Sequence, residues 1–319
     1  MTEPRREYPI LFLGGAKRVS IGRKIAEAFR TRGHEARIYS YETDRRVPIA
    51  AIGEVIVGRR WKDADLYAHL RETVKAKGIR MIVPFVDGAV GVAAEFATRY
   101  PELGVFVPGT SATMAEIMFD KCRSAELFER LGLPTPASYR GEEAYPLIAK
   151  PRHGSASKGI RILRTHGDLA ELVNPEDYLI QEYIEDAEEI STDCYASVRT
   201  GEPLVVSPRI RLETLGGEAV RSVTIDSPEA EALARKTLTA TGLRGAATIQ
   251  FIRSRRAPER LMIMEINPRL GGGVVCSAGA GADIPGCIAD EALGFDARPS
   301  RAVPGTEMCR YFEEVIFKP

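Results

Sequence analysis

Three side chains with oxygen donors stand where two neighbouring strands would bring them together. Glu265 and Asn267 end an apolar run, and residues two apart in a strand point to the same face. A second apolar run, 246–252, comes before it across a polar loop that contains a proline, which predicts a hairpin with Gln250 opposite Glu265. A carboxylate and two amide oxygens are hard ligands of the kind that Mg²⁺ or Mn²⁺ prefers. The pattern favours a divalent-cation site over a plain acidic strand end before a glycine turn.

Basic and small residues supply a second kind of chemistry. Lys150 ends a predicted strand, and the following segment, 152–159, is rich in glycine, serine and alanine. Small residues let successive backbone N–H groups approach an anion, and a lysine adds a point charge for phosphate oxygens. The segment lacks the spacing of a Walker A loop. A phosphate-binding lid and a mobile hairpin turn both fit it, and the two interpretations are compatible.

These stretches together resemble the ATP-grasp superfamily, in its carbamoyl-phosphate-synthetase-like and amino-acid ligase branch. GAATIQF with MEINPRLGGG resembles the metal-binding hairpin, KPRHGSASKGI the glycine-rich loop, and FDKCRSAELFERLGLPTPAS the opening helix. The resemblance implies a mixed α/β and α+β ATP-grasp fold that follows a Rossmann-like pre-ATP-grasp domain. The implied domains are residues 1–112, the small subdomain 113–185 with the glycine-rich loop, and the large subdomain 186–319 with the metal site.

The resemblance also assigns roles by position. It implies that ATP is bound with Mg²⁺ or Mn²⁺, the metal being held by Gln250, Glu265 and Asn267. Arg269 and Arg209 would contact the transferred phosphoryl group or the acid substrate. The implied nucleotide contacts are Lys121, Lys150, Ser155, Ser157, Glu182, Tyr183, Ile184 and Glu189.

Two of these assignments leave a neighbouring residue as an alternative. Glu188 stands beside Glu189, the acid expected at the ribose, so the register is open by one residue. Arg211 could replace Arg209, and either arginine could instead form a surface ion pair.

Strands and helices alternate over residues 8–110, which predicts a parallel, Rossmann-like sheet with a last strand at 105–107. A capping box at 113–116 predicts one helix to about Leu131. Two or three antiparallel strands are expected over 192–225, and a final strand over 310–318.

The N-terminal alternation raises a rival hypothesis, nicotinamide binding, with Glu42 or Asp44 as the ribose-binding acid. The glycines of GGAKRVSIG do not have the G-x-G-x-x-G spacing, which counts against it. Ligands bind beyond the carboxyl ends of parallel strands, so the loop 14–18 and the pair Asp87-Gly88 are substrate-site candidates. Plain turn chemistry is the interpretation that both segments favour.

Bulk composition excludes several classes of function. Lysine and arginine number 44, as do aspartate and glutamate, so charge gives no reason to expect nucleic acid as a partner. No apolar run is long enough to cross a membrane. The 5 scattered cysteines indicate reduced thiols and a cytoplasmic location rather than a disulfide framework or zinc.

The predicted activity is therefore an ATP-dependent carboxylate–amine ligase that works through an acyl phosphate. A phosphotransferase on the same scaffold is the alternative, and a nucleotide-binding protein without turnover is a third hypothesis. The expected partners are ATP, a small carboxylic acid and an amine. No motif identifies the acid or the amine, and the sequence leaves a homodimer open.

Overall fold

The computed structural model describes residues 6–142, 144–154 and 158–318. Within these ranges the strands form three sheets: a four-stranded sheet near the N-terminus, a three-stranded sheet in the middle and a six-stranded sheet towards the C-terminus. The N-terminal sheet is parallel, and the other two are antiparallel. This mixed architecture confirms the predicted fold class.

The N-terminal sheet has the strand order β3-β2-β1-β4, and its two adjacent strands β1 and β4 end side by side. The loop 14–18 and the start of α3 follow these two ends, so both substrate-site candidates lie at one edge of the sheet. The elements are β1 (Arg6–Leu13), α1 (Val19–Thr31), β2 (His34–Glu42), β3 (Glu54–Val57), α2 (Leu66–Lys77), β4 (Met81–Pro84) and α3 (Asp87–Arg99).

Two details of this sheet differ from the prediction. The expected strand at 105–107 forms only an isolated bridge between Phe106 and Met81. Pro108 follows at once and has no N–H group with which to extend the ladder. The short edge strand β3 was not predicted, because its four residues are too few to show a period.

The predicted single helix from 113 to Leu131 is wrong, because the structure has two helices there. Asp120 between them is extended, and its carboxylate accepts hydrogen bonds from the next helix's first N–H groups, which starts a new helix. The two helices are α4 (Ala112–Phe119) and α5 (Lys121–Arg130).

The N-terminal cap of α4 also differs from the predicted capping box. Ser111 is the N-cap residue, and its hydroxyl accepts the N–H of Met114 at 3.2 Å. The helix therefore starts earlier than the box at 113–116 indicated.

The three-stranded sheet has the order β6-β5-β7, with Lys150 on its central strand. Leu147, Leu163 and Leu172 are buried in its own small core. Its elements are β5 (Leu147–Pro151), β6 (Arg161–Leu163), α6 (His166–Ala170) and β7 (Tyr178–Glu182).

The six-stranded sheet has the order β12-β11-β8-β9-β10-β13. Three strands between 187 and 224 confirm the antiparallel strands expected there. The final strand predicted over 310–318 is wrong: the last strand covers three residues before it and pairs with β10, while 310–318 has no regular secondary structure. The elements are β8 (Ala187–Ala196), β9 (Pro203–Leu215), β10 (Glu218–Thr224), α7 (Pro228–Thr241), β11 (Gly245–Ser254), β12 (Ala257–Asn267), α8 (Val274–Gly279), α9 (Ile284–Ala292) and β13 (Glu307–Cys309).

The N-terminal sheet and the C-terminal helices share one hydrophobic core. Ile25 on α1 and Ile284 and Ile288 on α9 are fully buried in the same cluster. Arg32 also forms an ion pair with Asp290, with Nε 2.5 Å from Oδ1. The two ends of the described chain are therefore packed together rather than linked as separate bodies. Among the described residues, no helix is both long enough and apolar enough to span a membrane.

Candidate active site

A cavity of about 630 Å³ lies between the N-terminal sheet, the three-stranded sheet and the six-stranded sheet. Every predicted site residue that the structure describes contributes to its lining. Ser155 and Ser157 lie outside the described residues.

The hairpin of β11 and β12 has the predicted register. Gln250 pairs with Glu265, and Thr248 pairs with Asn267. A bulge follows, since Phe251 pairs with Ile263, and the extra residue Met264 turns this end of β12. The three predicted metal ligands therefore face the cavity together.

The donor set fits a hard cation. Oε1 of Glu265 accepts from Nε2 of Gln250 at 2.8 Å and from Nδ2 of Asn267 at 2.9 Å. Rotation of either amide would present an oxygen in place of its NH₂ group, giving the carboxylate and amide oxygens that Mg²⁺ prefers. The described residues contain no cluster of three or more His, Cys, Asp or Glu side chains suited to a metal.

Lys150 is buried beside this hairpin and points into the cavity. Its Nζ donates to Oε1 of Gln181 at 3.1 Å, and the amide of Gln181 is itself fixed by the carbonyl of Pro136. Burial lowers the pKa of Lys150 to about 8, although the nearby carboxylate of Glu265 raises it. A buried ammonium whose hydrogen-bond partner is a neutral amide favours the binding of an anion.

Lys121 stands at the first position of α5, where the break after α4 places it against the glycine-rich segment. Its Nζ donates to the carbonyl of Gly154 at 2.8 Å, and its backbone N–H donates to the carbonyl of Arg152 at 3.0 Å. Arg152 in turn pairs with Asp120 at 2.7 Å. The helix start therefore anchors the base of the segment that resembles a phosphate-binding loop.

The segment 182–184 was predicted to contact adenine through its backbone. Two of its N–H groups are already used inside the chain: Glu182 donates to Ala137, and Tyr183 donates to Pro146. The Ile184 N–H has no backbone acceptor among the residues described. It is therefore the N–H group of residues 182–184 that is left to donate a hydrogen bond to adenine.

The structure separates the two adjacent glutamates at the start of β8. Glu189 lines the cavity and pairs with Arg211, whereas Glu188 pairs with Arg253 at 2.7 Å outside the lining. Adjacent residues of a strand face opposite sides, so only one of them can reach the site.

Arg209 is held under the glycine run that follows β12. Its Nε donates to Asp193 at 2.7 Å, and both side chains are buried. A Cβ atom at Gly273 would lie 2.3 Å from the guanidinium carbon, so glycine is required for this approach. Nη1 of Arg209 is buried and has no partner within the described chain. An unpaired buried donor lining the cavity favours an anionic ligand.

Sequence reasoning missed Asp193, which organises this group. Its carboxylate also accepts from the hydroxyls of Thr248 at 2.9 Å and Ser277 at 2.8 Å. A usable signal was present, because Asp193 stands four residues after Glu189 and so has the same strand parity.

Arg269 connects the hairpin of β11 and β12 to the N-terminal sheet. Its Nη2 donates to Oδ1 of Asn267 at 3.0 Å, and its Nε donates to Asp87 at 2.5 Å. Asp87 and Arg18, from the two candidate loops, both line the cavity.

Glu42, one of the two acids considered for the nicotinamide ribose, has partners within the chain instead. Glu42 accepts from the hydroxyl of Ser40 at 2.6 Å and from the backbone of Gly15 and Ala16. Burial raises the pKa of Glu42, and these hydrogen bonds lower it. The carboxylate therefore closes the glycine turn, where a ribose would have to bind.

Comparison with known proteins agrees with this geometry. Residues 118–273 match the family described as "ATP-grasp domain". The chain is 29% identical over 292 residues to biotin carboxylase 1 of Bacillus subtilis, an alignment that covers 80% of this chain and 64% of that protein's length. It is 25% identical over 307 residues to a probable alpha-L-glutamate ligase of Cellvibrio japonicus, covering 88% of this chain and 93% of that protein.

A solved structure shows the same fold. The biotin carboxylase domain of Hydrogenobacter thermophilus 2-oxoglutarate carboxylase, crystallised with MgADP and bicarbonate, superposes with a TM-score of 0.70 at 20% identity. The superposition covers 92% of this chain and 71% of that one. The resemblance seen in the sequence is thereby confirmed: residues 118–273 match the ATP-grasp domain, and the chain has the ATP-grasp fold.

Proposed function

We propose that this protein is an ATP-dependent carboxylate–amine ligase that works through an acyl phosphate. The observation that carries the proposal is the convergence in one cavity of two lysines, a carboxylate–amide set and two arginines. These are the groups needed to position a triphosphate and to neutralise charge during phosphoryl transfer. The ligase relative in Cellvibrio japonicus, matched over most of its length, supports the same activity.

In the proposed first step, a carboxylate oxygen of the acid substrate attacks the γ-phosphorus of ATP. The bond between this phosphorus and the β,γ-bridging oxygen breaks, and ADP leaves. The amine nitrogen then attacks the acyl carbon, inorganic phosphate leaves with the electrons of the C–O bond, and the nitrogen loses a proton. The chain's task in both steps is to place the reactants and stabilise their charge.

The cationic side chains divide this task. Lys150 and Lys121 would balance the phosphate charge, since both line the cavity beside the glycine-rich segment. Arg209, with its unpaired Nη1, and Arg269 would bind the transferred phosphoryl group. Losing one preorganised donor of this kind typically costs about 3 kcal/mol of barrier.

The remaining contacts belong to the nucleotide and the metal. Glu189 would accept from the ribose hydroxyls, and the Ile184 N–H would donate to adenine. Glu265, Asn267 and Gln250 would hold Mg²⁺ or Mn²⁺, and the bound ion would supply charge neutralisation between phosphate groups.

We also propose the three-part division into 1–112, 113–185 and 186–319. Its support is that each sheet falls within one of these ranges. A cytoplasmic location is part of the same proposal and follows from the ATP requirement and the five free cysteines.

The test is a product assay with matched variants of β12. With ATP, Mg²⁺ and a panel of acids and amines, the protein should release ADP and phosphate and form an amide. Glu265→Gln should lower turnover about 100-fold or more and shift the Mg²⁺ requirement upward, because it removes the carboxylate of the metal set. Glu259→Gln, which alters an exposed glutamate of the same strand, should leave both unchanged.

Three outcomes would contradict the proposal. Turnover and Mg²⁺ dependence that are unchanged in Glu265→Gln would remove the metal assignment. ADP with a stable phosphorylated acceptor and no free phosphate would identify a phosphotransferase. ATP binding without acceptor-dependent hydrolysis would identify a binding protein.

A further inference from the structure

The part of the cavity wall next to the N-terminal sheet carries charged side chains that, apart from Arg269, have no role in the proposed nucleotide and metal sites. Arg18 lies in the loop after β1, and Glu218 lies at the start of β10. Asp87 and Arg269 complete this wall, and Arg310 approaches from behind the glycine run. Three guanidinium groups therefore face two carboxylates, which leaves an excess of positive charge.

Among the described residues, the side chain of Arg18 donates no hydrogen bond, whereas those of Arg269 and Arg310 do. The side chain of Arg18 is only 15% exposed, and the one carboxylate within 4 Å among the described residues is Glu218, at 3.4 Å. Burial lowers the pKa of Arg18, Glu218 raises it, and Arg269 and Arg310 lower it further. A largely buried guanidinium near two other cations is stabilised by an added anion.

The two neighbouring arginines already donate hydrogen bonds to other groups of the chain. Arg269 donates to Asp87 and Asn267, and Arg310 donates to the carbonyls of Gly272 and Ala219. They fix the wall around Arg18, and their own forks have partners inside the chain. Arg18 is thus the member of the group that can turn its fork towards a ligand.

The wall also adjoins the proposed reaction centre. Arg269 contacts the metal hairpin through Asn267 and the N-terminal wall through Asp87. A Cβ atom at Gly272 would lie 3.4 Å from Nη1 of Arg18, so the glycine run reaches from the metal hairpin to this arginine. A molecule held by Arg18 would therefore lie beside the groups that position the phosphoryl group.

We propose that Arg18 is a specificity-determining residue that binds a carboxylate which does not itself react. An arginine fork matches a carboxylate with two parallel hydrogen bonds. The substrate held by this wall would therefore be an amino acid or a dicarboxylic acid rather than a simple amine or a monocarboxylic acid. This inference rests on the proposed ligase function and deepens it by naming the substrate class.

The experiment pairs each probe with an analogue that lacks one carboxylate. L-alanine is compared with ethylamine, succinate with propionate, and the other amino acids with their decarboxylated amines. Binding is measured by calorimetry in the presence of a non-hydrolysable ATP analogue and Mg²⁺, and turnover is measured with ATP. Probes with the additional carboxylate should bind and react, and their analogues should not.

The substitutions are made at two neighbouring residues of the loop that follows β1. Arg18→Gln should raise the KM and the dissociation constant of the preferred probe about 30-fold, because leaving the carboxylate of the probe unpaired costs about 2 kcal/mol or more. The affinity for ADP should be unchanged. Lys17→Gln removes an equal charge from an exposed position and should change neither value. Arg18→Lys keeps the charge without the fork, so it should give a smaller rise, and it replaces Arg18→Gln if that variant does not fold.

The outcomes separate this inference from the proposed function. Ligase turnover with an unchanged KM in Arg18→Gln, or equal use of the analogues, overturns the role of Arg18 and leaves the ligase proposal standing. Probe binding that Arg18→Gln abolishes, without turnover in the wild type, supports Arg18 and overturns the ligase proposal. If none of the probes binds to the wild type, the assignment of Arg18 is wrong.

Discussion

Lys150 illustrates how a single side chain is tuned by its position. It lies on the central strand of the small sheet, and its ammonium is buried with the amide of Gln181 as its hydrogen-bond partner. Burial destabilises the charged form, which is why its pKa falls to about 8. A bound phosphate would reverse this effect, because it favours the protonated lysine.

Nucleotide affinity should therefore decrease with pH. The proton leaves Lys150 as pH rises through about 8, so ADP affinity of the wild type should fall about tenfold between pH 7 and pH 9. Arginine stays charged over this range, so Lys150→Arg should bind ADP with little pH dependence. Calorimetric titrations across the range measure both, and an equally steep decline in the two proteins would show that another group titrates.

At the scale of the secondary-structure element, the start of helix α5 organises the region around the glycine-rich segment. The break between α4 and α5 makes Asp120 an N-cap, and the same carboxylate holds Arg152 at the base of the glycine-rich segment. The rings of Phe119 and His153 stack at 5.5 Å across this junction. One helix terminus therefore serves both local stability and the position of the segment.

Two N-cap variants separate these roles. Asp120→Ala and Ser111→Ala each remove a side-chain cap, so each should lower the free energy of unfolding by about 1 kcal/mol. Only Asp120→Ala also releases Arg152, so it alone should weaken ADP binding, by several-fold. Thermal unfolding and ADP titration measure the two effects. Equal ADP affinity in both variants would show that the ion pair does not position the segment.

At the scale of the whole molecule, the N-terminal sheet and the C-terminal helix α9 stabilise each other. The cluster that contains Ile25, Ile284 and Ile288 crosses the proposed domain boundary at residue 112. Tyr8 adds a hydrogen bond from its hydroxyl to the carbonyl of Ala292 at 2.9 Å. Because neither part buries its apolar surface alone, the two should unfold together.

The single tryptophan, Trp61, offers a direct test because it lies in the N-terminal part. Ile288→Ala, made in α9, should destabilise the protein by about 2–5 kcal/mol and shift the midpoint of Trp61 fluorescence together with that of far-UV circular dichroism. Leu163→Ala, in the separate core of the small sheet, should shift the fluorescence midpoint less. An unfolding midpoint of Trp61 fluorescence that is the same in Ile288→Ala as in the wild type would show that the two parts unfold independently.

The sequence by itself determined the strand pairing in the hairpin of β11 and β12. The period of two put Glu265 and Asn267 on one face, and the short loop fixed Gln250 opposite Glu265, because strand pairing next to a turn depends on nearby residues only. Tertiary structure decided what distant segments contribute. It brought Arg18 and Asp87 into the cavity and placed Glu189, rather than Glu188, in the cavity lining. It also paired Asp193 with Arg209. Those contacts join residues that are far apart in the chain. The packing of the sheets determines which of their faces meet, and the local spacing of residues does not encode that packing.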